Sequence, residues 1–187
     1  MTAGWNFERR RDACARLLIG VWMLAKGLPD RDTSLEAVRS RTRLTPEEAL
    51  FAARRSSEEH LITFEEGGAI RSNARGIERA RTLIDGVRAK VERFDDVVKT
   101  LDSPGAVAVL ACVVRAEGGT LACGAPSSDP DGTYRLALVG DAVTTERRRA
   151  DGTFEVVSVA LENQPPRRRD RQGIEPSLGV LCVLAVY

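Results

Sequence analysis

From Phe7 onward, Cys14, Leu17, Leu18, Val21, Trp22, Leu24 and Ala25 recur at close to helical spacing. This predicts an amphipathic helix, stopped by Gly27 and Pro29. TSLEAVRSRTR predicts a second, shorter helix capped by Thr33 or Ser34. Thr45-Pro46-Glu47-Glu48 then opens a third. Thr45 can accept from the amide of residue 48, Glu48 can reach back to the amide of Thr45, and Pro46 sits where a missing N–H costs nothing. This helix should run to about His60. LITF and AIRS read as short strands around an EEGG turn, and Ser72 or Asn73 caps a fourth helix.

Ile77, Ala80, Ile84, Val87, Val91, Phe94, Val98 and Leu101 are spaced alternately by three and four residues. That is a heptad seam, and it predicts one long helix ending at Ser103-Pro104-Gly105. With Ile77 as a, Lys90 falls at g and Asp95 at the next e, a pair able to meet across a parallel dimer. Leu83 and Val97 widen the apolar face, which equally suits packing against the chain's own body. The expected dimerisation residues are Ile77, Ile84, Val87, Val91, Phe94, Val98 and Leu101.

After Ala106 the pattern changes. AVAVLACVVRA, TLACGA, TYRLALVGD, TFEVVSVALEN and LGVLCVLAVY read as strands, separated by turn signals such as Asp131-Gly132 and Asp151-Gly152. The expected fold class is therefore α+β, in three parts. Residues 1–76 form a helix-rich head, 77–103 a long linking and dimerising helix, and 104–187 a small antiparallel β domain for control or assembly.

The head resembles the winged helix-turn-helix family of bacterial transcription regulators. The resemblance covers roughly residues 7–85 and rests on the Leu35–Arg43 helix, the capped Pro46–His60 helix, the LITFEEGGAIRSN hairpin and the closing ARGIERAR. The resemblance implies a recognition helix in the major groove and a wing on the backbone. Arg39, Arg41 and Arg43 before the third helix, Arg54 and Arg55 within it, Arg71 on the wing and Arg75 beyond it are the expected DNA-binding residues. Glu47, Glu48, Glu58, Glu59, Glu65 and Glu66 oppose a polyanion. The same fold also serves protein–protein contacts.

Composition narrows this little. The 187 residues carry 28 Lys/Arg and 27 Asp/Glu, a formal charge of +1, so any nucleic-acid contact depends on local patches. Arg147, Arg148 and Arg149, with Arg167, Arg168, Arg169 and Arg171, form two clusters placed by the pattern in connections between strands. They are candidates for an anionic ligand. No G-x-G-x-x-G, no phosphate loop and no C-x-x-C occurs. Ser158 lacks a histidine in its own half, since His60 is the single histidine, and Asp129 and Asp131 read as turn residues. The apolar segments are too short to span a bilayer. The expectation is a non-enzymatic, cytoplasmic, homodimeric regulator on double-stranded DNA, with no cofactor and no metal. The alternative is an adaptor that uses the head and the β domain for protein contacts.

Overall fold

The computed structural model describes residues 6–140 and 142–161. Over this range the chain is α+β, with two antiparallel sheets. The first helix, α1 (Phe7–Leu24), is capped by Asn6, whose side chain accepts from the Arg9 amide. A short strand β1 (Asp32–Ser34) leads into α2 (Leu35–Thr42), and α3 (Pro46–Glu58) comes next. The hairpin is β2 (Ile62–Phe64) and β3 (Ala69–Ser72), and the sheet order is β1-β3-β2. The pattern does not predict β1, which is only three residues long.

Leu17, Leu18, Val21, Val38, Leu44, Ala49, Ala52, Ala53, Ile62 and Ile70 form the core of this half. The inner face of α3 centres on Ala49, Ala52 and Ala53, whose small side chains let α1 approach closely. Gly20 serves the same purpose on α1. A Cβ there would sit 2.5 Å from the Thr42 methyl group of α2.

The predicted long helix is two helices. The first, α4 (Ala74–Val91), ends where α5 (Phe94–Leu101) begins a new course. Neither proline nor glycine causes the break. The chain at Gly124 crosses the end of α4 and its amide donates to the Val91 carbonyl at 2.9 Å. Phe94 turns edge-on to Tyr134, with ring centroids 5.5 Å apart. Tertiary contacts therefore outweigh a helical pattern that continues in the sequence.

The seam is used within the chain, which corrects its assignment to a dimer interface. Ile84 packs with Ile19, Cys112 and Val113. Val91 packs with Val97, Val107 and Leu110, and Ile77 is buried too. Val87, Phe94 and Leu101 are half-buried, and Val98 is left 45% exposed. Each of the fully buried side chains contributes about 1.5–3 kcal/mol that a dimer could recover only by opening the monomer.

A second correction concerns AVAVLACVVRA. It is helix α6 (Pro104–Ala116), not a strand. Val107, Ala108 and every residue from Leu110 to Val114 are buried, between α1 on one side and the second sheet on the other. A core helix apolar all round has no alternation to separate it from a buried strand. Ser103-Pro104, read as a stop, is its start. Because α6 packs on α1, residue 104 marks no boundary in the packing.

The second sheet comprises β4 (Thr120–Cys123), β5 (Tyr134–Val139), β6 (Ala142–Arg148) and β7 (Phe154–Leu161), in the order β4-β5-β6-β7. Three strands match the pattern. The interior strand β6 escapes it, because AVTTERR is mostly polar. A bulge between Thr145 and Glu146 interrupts its register with β7. Leu121, Leu136, Leu138, Val143 and Ala160 face α6. β7 lies at the edge among the described residues and exposes Val156, Val157, Val159 and Leu161. The expected closing strand LGVLCVLAVY lies outside the described residues.

Among the described residues no single helix is long and apolar enough to cross a membrane.

Candidate nucleic-acid interface

α3 starts from the cap that the sequence announces. The Glu48 amide donates to Thr45 Oγ1 at 3.2 Å, and the Thr45 amide donates to Glu48 Oε2 at 3.0 Å. Glu48 has a second role that its sequence position conceals. It is 7% exposed and accepts from Arg9 Nε at 2.8 Å. Arg16, buried on α1, places Nη1 at 4.0 Å from Glu48 and donates through Nη2 to the Thr42 carbonyl at 2.6 Å. One carboxylate thus ties α1 to the start of α3, and one guanidinium ties α1 to the end of α2. Burial pushes the Glu48 carboxyl upward, but the Thr45 amide and the two arginines outweigh it and hold the group below its ordinary value. Glu48 therefore drops out of the acids that face a ligand.

The turn between α2 and α3 is tight because Arg43 takes a left-handed conformation, φ 57°. His60 does the same at the far end of α3, φ 56°. The Leu61 amide then donates to the Ser56 carbonyl at 2.9 Å and closes the helix. That is the role of the lone histidine.

The hairpin is held from two sides. Its tip carbonyl, Gly68, accepts from the Leu35 amide at 2.8 Å and so caps α2. At its base Asn73 accepts from the Gly76 amide at 2.8 Å and donates to the His60 carbonyl at 3.1 Å. Gly76 has no room for a side chain, since a Cβ would lie 1.8 Å from the Leu61 carbonyl oxygen.

With its inner face buried, α3 turns Glu47, Leu50, Arg54 and Glu58 outward, and Leu50 is 37% exposed. A groove between this face and the hairpin is lined by Leu50, Arg54, Ser57, Glu58, Phe64 and Glu66. A neighbouring hollow joins the starts of α2 and α3 to the hairpin tip and includes Arg39.

The seven expected DNA-binding arginines do not converge. Arg39 donates to Glu36 at 2.6 and 2.9 Å, and that bond lowers the Glu36 carboxyl. Arg71 holds Asp32 at 2.8 Å across β1 and β3, and lowers the Asp32 carboxyl in the same way. Arg54 and Arg55, adjacent in sequence, lie on different sides of α3. Arg54 faces the hairpin groove, whereas Arg55 bonds Glu59 at 2.7 Å and lines a cavity toward α1. Arg75 lies beyond the far end of α3, beside His60 and Arg79. Among the described residues Arg41, Arg54 and Arg75 have no ion-pair partner. Exposed arginine–carboxylate pairs are weak, and a phosphate can compete for them.

No family model, curated protein or solved structure matches the chain.

The arginine cluster of the second sheet is arranged differently. Arg147 and Arg148 end β6 rather than lying in a connection. Arg147 bonds Asp129 at 2.5 Å and approaches Glu155 at 3.8 Å, and Arg149 bonds Glu155 at 3.0 Å. Arg148 has no ion-pair partner among the described residues. Asp129 also accepts from the Tyr134 hydroxyl at 2.9 Å. The Arg147 bond, then the Tyr134 bond, hold Asp129 below its ordinary value. Arg167, Arg168, Arg169 and Arg171 lie outside the described residues. Among the described residues no group of three His, Cys, Asp or Glu side chains is placed to hold a metal ion.

Sequence reasoning missed the buried Arg16–Glu48 pair, since FERRRDACAR mixes acids and bases and Glu48 reads as a cap residue alone. It also missed the cavity beside Arg55, which forms only when α1, α3 and α4 come together.

Proposed function

We propose that the chain is a DNA-binding regulator whose head is a winged helix, with α3 as the recognition helix and β2–β3 as the wing. The observation that carries this reading is the exposed outer face of α3, with Arg54 unpaired among the described residues, beside a hairpin anchored at both ends. The order α1-β1-α2-α3-β2-β3-α4, the sheet order β1-β3-β2 and the tight turn at Arg43 agree with it. In that geometry Arg54 meets the groove, while Arg39 and Arg41 reach phosphates beside it and fix the register. The second sheet serves control or assembly, and the exposed valines of β7 suit the latter. Homodimerisation would use a surface other than Ile84 and Val91.

The test is a titration of random duplex over salt concentration. The reading expects affinity to fall steeply as salt rises, because bound arginines release counterions. Arg54→Ala should lower affinity, whereas Arg41→Ala, which removes one phosphate contact, should reduce the salt slope by about one. Binding that ignores salt, or is identical in parent and Arg54→Ala, would count against it.

A second reading draws on the acids. Glu58 and Glu66 line the groove with the exposed Leu50 and half-buried Phe64, and Glu47 is exposed on the same face of α3. That combination fits a basic, amphipathic protein segment laid in the groove. Recovery of the chain with a stoichiometric protein partner and no affinity for duplex would favour this reading.

A further inference from the structure

We propose that the cavity between α1, α3 and α4 binds an amphipathic carboxylate. Its volume is about 590 Å³, within the usual range for small-molecule sites. Cys14, Leu18, Phe51, Leu61 and Leu83 supply an apolar lining. Burial, then the charge of Glu59, push the Cys14 thiol up to about 11, so it stays neutral and acts as lining rather than as a nucleophile.

The polar groups argue for an anionic head. Four arginines, Arg10, Arg11, Arg55 and Arg79, border the cavity against two acids, Glu58 and Glu59. Both acids are already held by Arg55, at 3.3 and 2.7 Å. Arg10 lies over the Phe51 ring, 5.7 Å from its centroid, and Arg11 is 3.6 Å from Asp12. Arg79 has no ion-pair partner among the described residues. It is an exposed lining residue and can donate to a carboxylate in the cavity.

An independent observation points to a ligand. Ser56 on α3 is 1% exposed and lines the same cavity, yet among the described residues its hydroxyl has no hydrogen-bond partner. A buried unpaired hydroxyl is costly, and a ligand oxygen would relieve it. Since Ser56 belongs to α3, occupancy would also bias the helix assigned above to DNA. That last step rests on the DNA reading, whereas the binding itself does not.

The experiment is calorimetric titration of the full chain with octanoate, and with 1-octanol as the neutral probe. Octanoate should saturate one site and bind about tenfold more tightly than the alcohol, the difference being the charge-assisted contact. Arg79→Ala should weaken octanoate about fivefold and leave octanol unchanged. Ser56→Ala should weaken octanoate while leaving Tm unchanged or raised, which a purely structural serine would not do. Ala15→Phe, which fills the cavity from α1, should abolish both. Absence of saturable octanoate binding, equal affinity for acid and alcohol, or full affinity in Arg79→Ala would overturn the proposal. All of these readouts are made without DNA, so they stand or fall separately from the duplex titration.

Discussion

In the β4–β7 sheet, Arg135, Arg147 and Arg149 each reach a carboxylate on a neighbouring strand or loop. Arg135 also lies over the Phe154 ring at 3.6 Å. Around the smaller β1-β3-β2 sheet, Arg41, Arg54, Arg75 and Arg79 have no such partner among the described residues. Both halves carry similar arginine runs, but the folds use them differently. Cross-strand pairing in an antiparallel sheet brings opposite charges face to face and ties them down. On a helix, neighbouring positions diverge by about 100°, so Arg54 can stay free although Arg55 is paired. A basic run therefore says little about function until it is known which kind of element carries it.

Two glycines, one in each half, sit at tight backbone crossings. In the head, a Cβ at Gly76 would meet the Leu61 carbonyl at 1.8 Å, and in the second half one at Gly124 would meet the Glu92 carbonyl at 2.0 Å. Gly76→Ala and Gly124→Ala should each cost about 3 kcal/mol or more in urea unfolding, because backbone must move. A loss below about 1 kcal/mol at either site would show that the crossing there is looser than described.

Ion pairs give the next contrast. Glu48→Ala removes the carboxylate that Arg9 and the buried Arg16 share and should cost about 3 kcal/mol. Asp129→Ala in the second sheet should cost about 1 kcal/mol or less, since Asp129 and Arg147 are both partly solvated. The Glu48 contribution also depends on pH. Its folded carboxyl titrates below the unfolded value of about 4.3, so the stabilisation is complete above that pH and is lost as pH falls through the folded value. Glu48→Gln should flatten the acid limb of the stability profile between those two values, and an unchanged limb would contradict the network.

Smaller effects separate stability from binding. Arg54→Ala should leave stability within about 0.5 kcal/mol of the parent while weakening duplex binding. Arg148→Ala should change neither. Arg43→Gly relieves a left-handed residue but also removes the interaction its side chain makes, and should shift stability by no more than about 1 kcal/mol. A destabilised Arg43→Gly would mean that the arginine side chain matters more than its backbone.

Local signals in the sequence were reliable where they sit in adjacent residues. The Thr45-Pro46-Glu47-Glu48 capping box, the hairpin around Gly67-Gly68 and the cap at Asn73 lie where the pattern places them. Signals that depend on distant partners were not. The heptad seam continues through Glu92 and Arg93, yet the crossing of Gly124 ends the helix there. AVAVLACVVRA carries no periodicity, so its helical state becomes evident only from burial on every side. At the candidate interface, Arg54 was legible as a cation on the third helix. The inward turn of Glu48 and the separation of Arg55 from Arg54 depend on the position of α1, which no local pattern encodes.

The most direct test of the account is amide hydrogen exchange with and without saturating duplex at low salt. Protection should appear along α3 and the β2–β3 hairpin, residues 46–58 and 62–72, and be absent from β4–β7. Protection confined to β5 and β6 around Arg147, or no change anywhere at a duplex concentration that shifts the protein, would contradict the assignment of α3 as the surface that meets DNA.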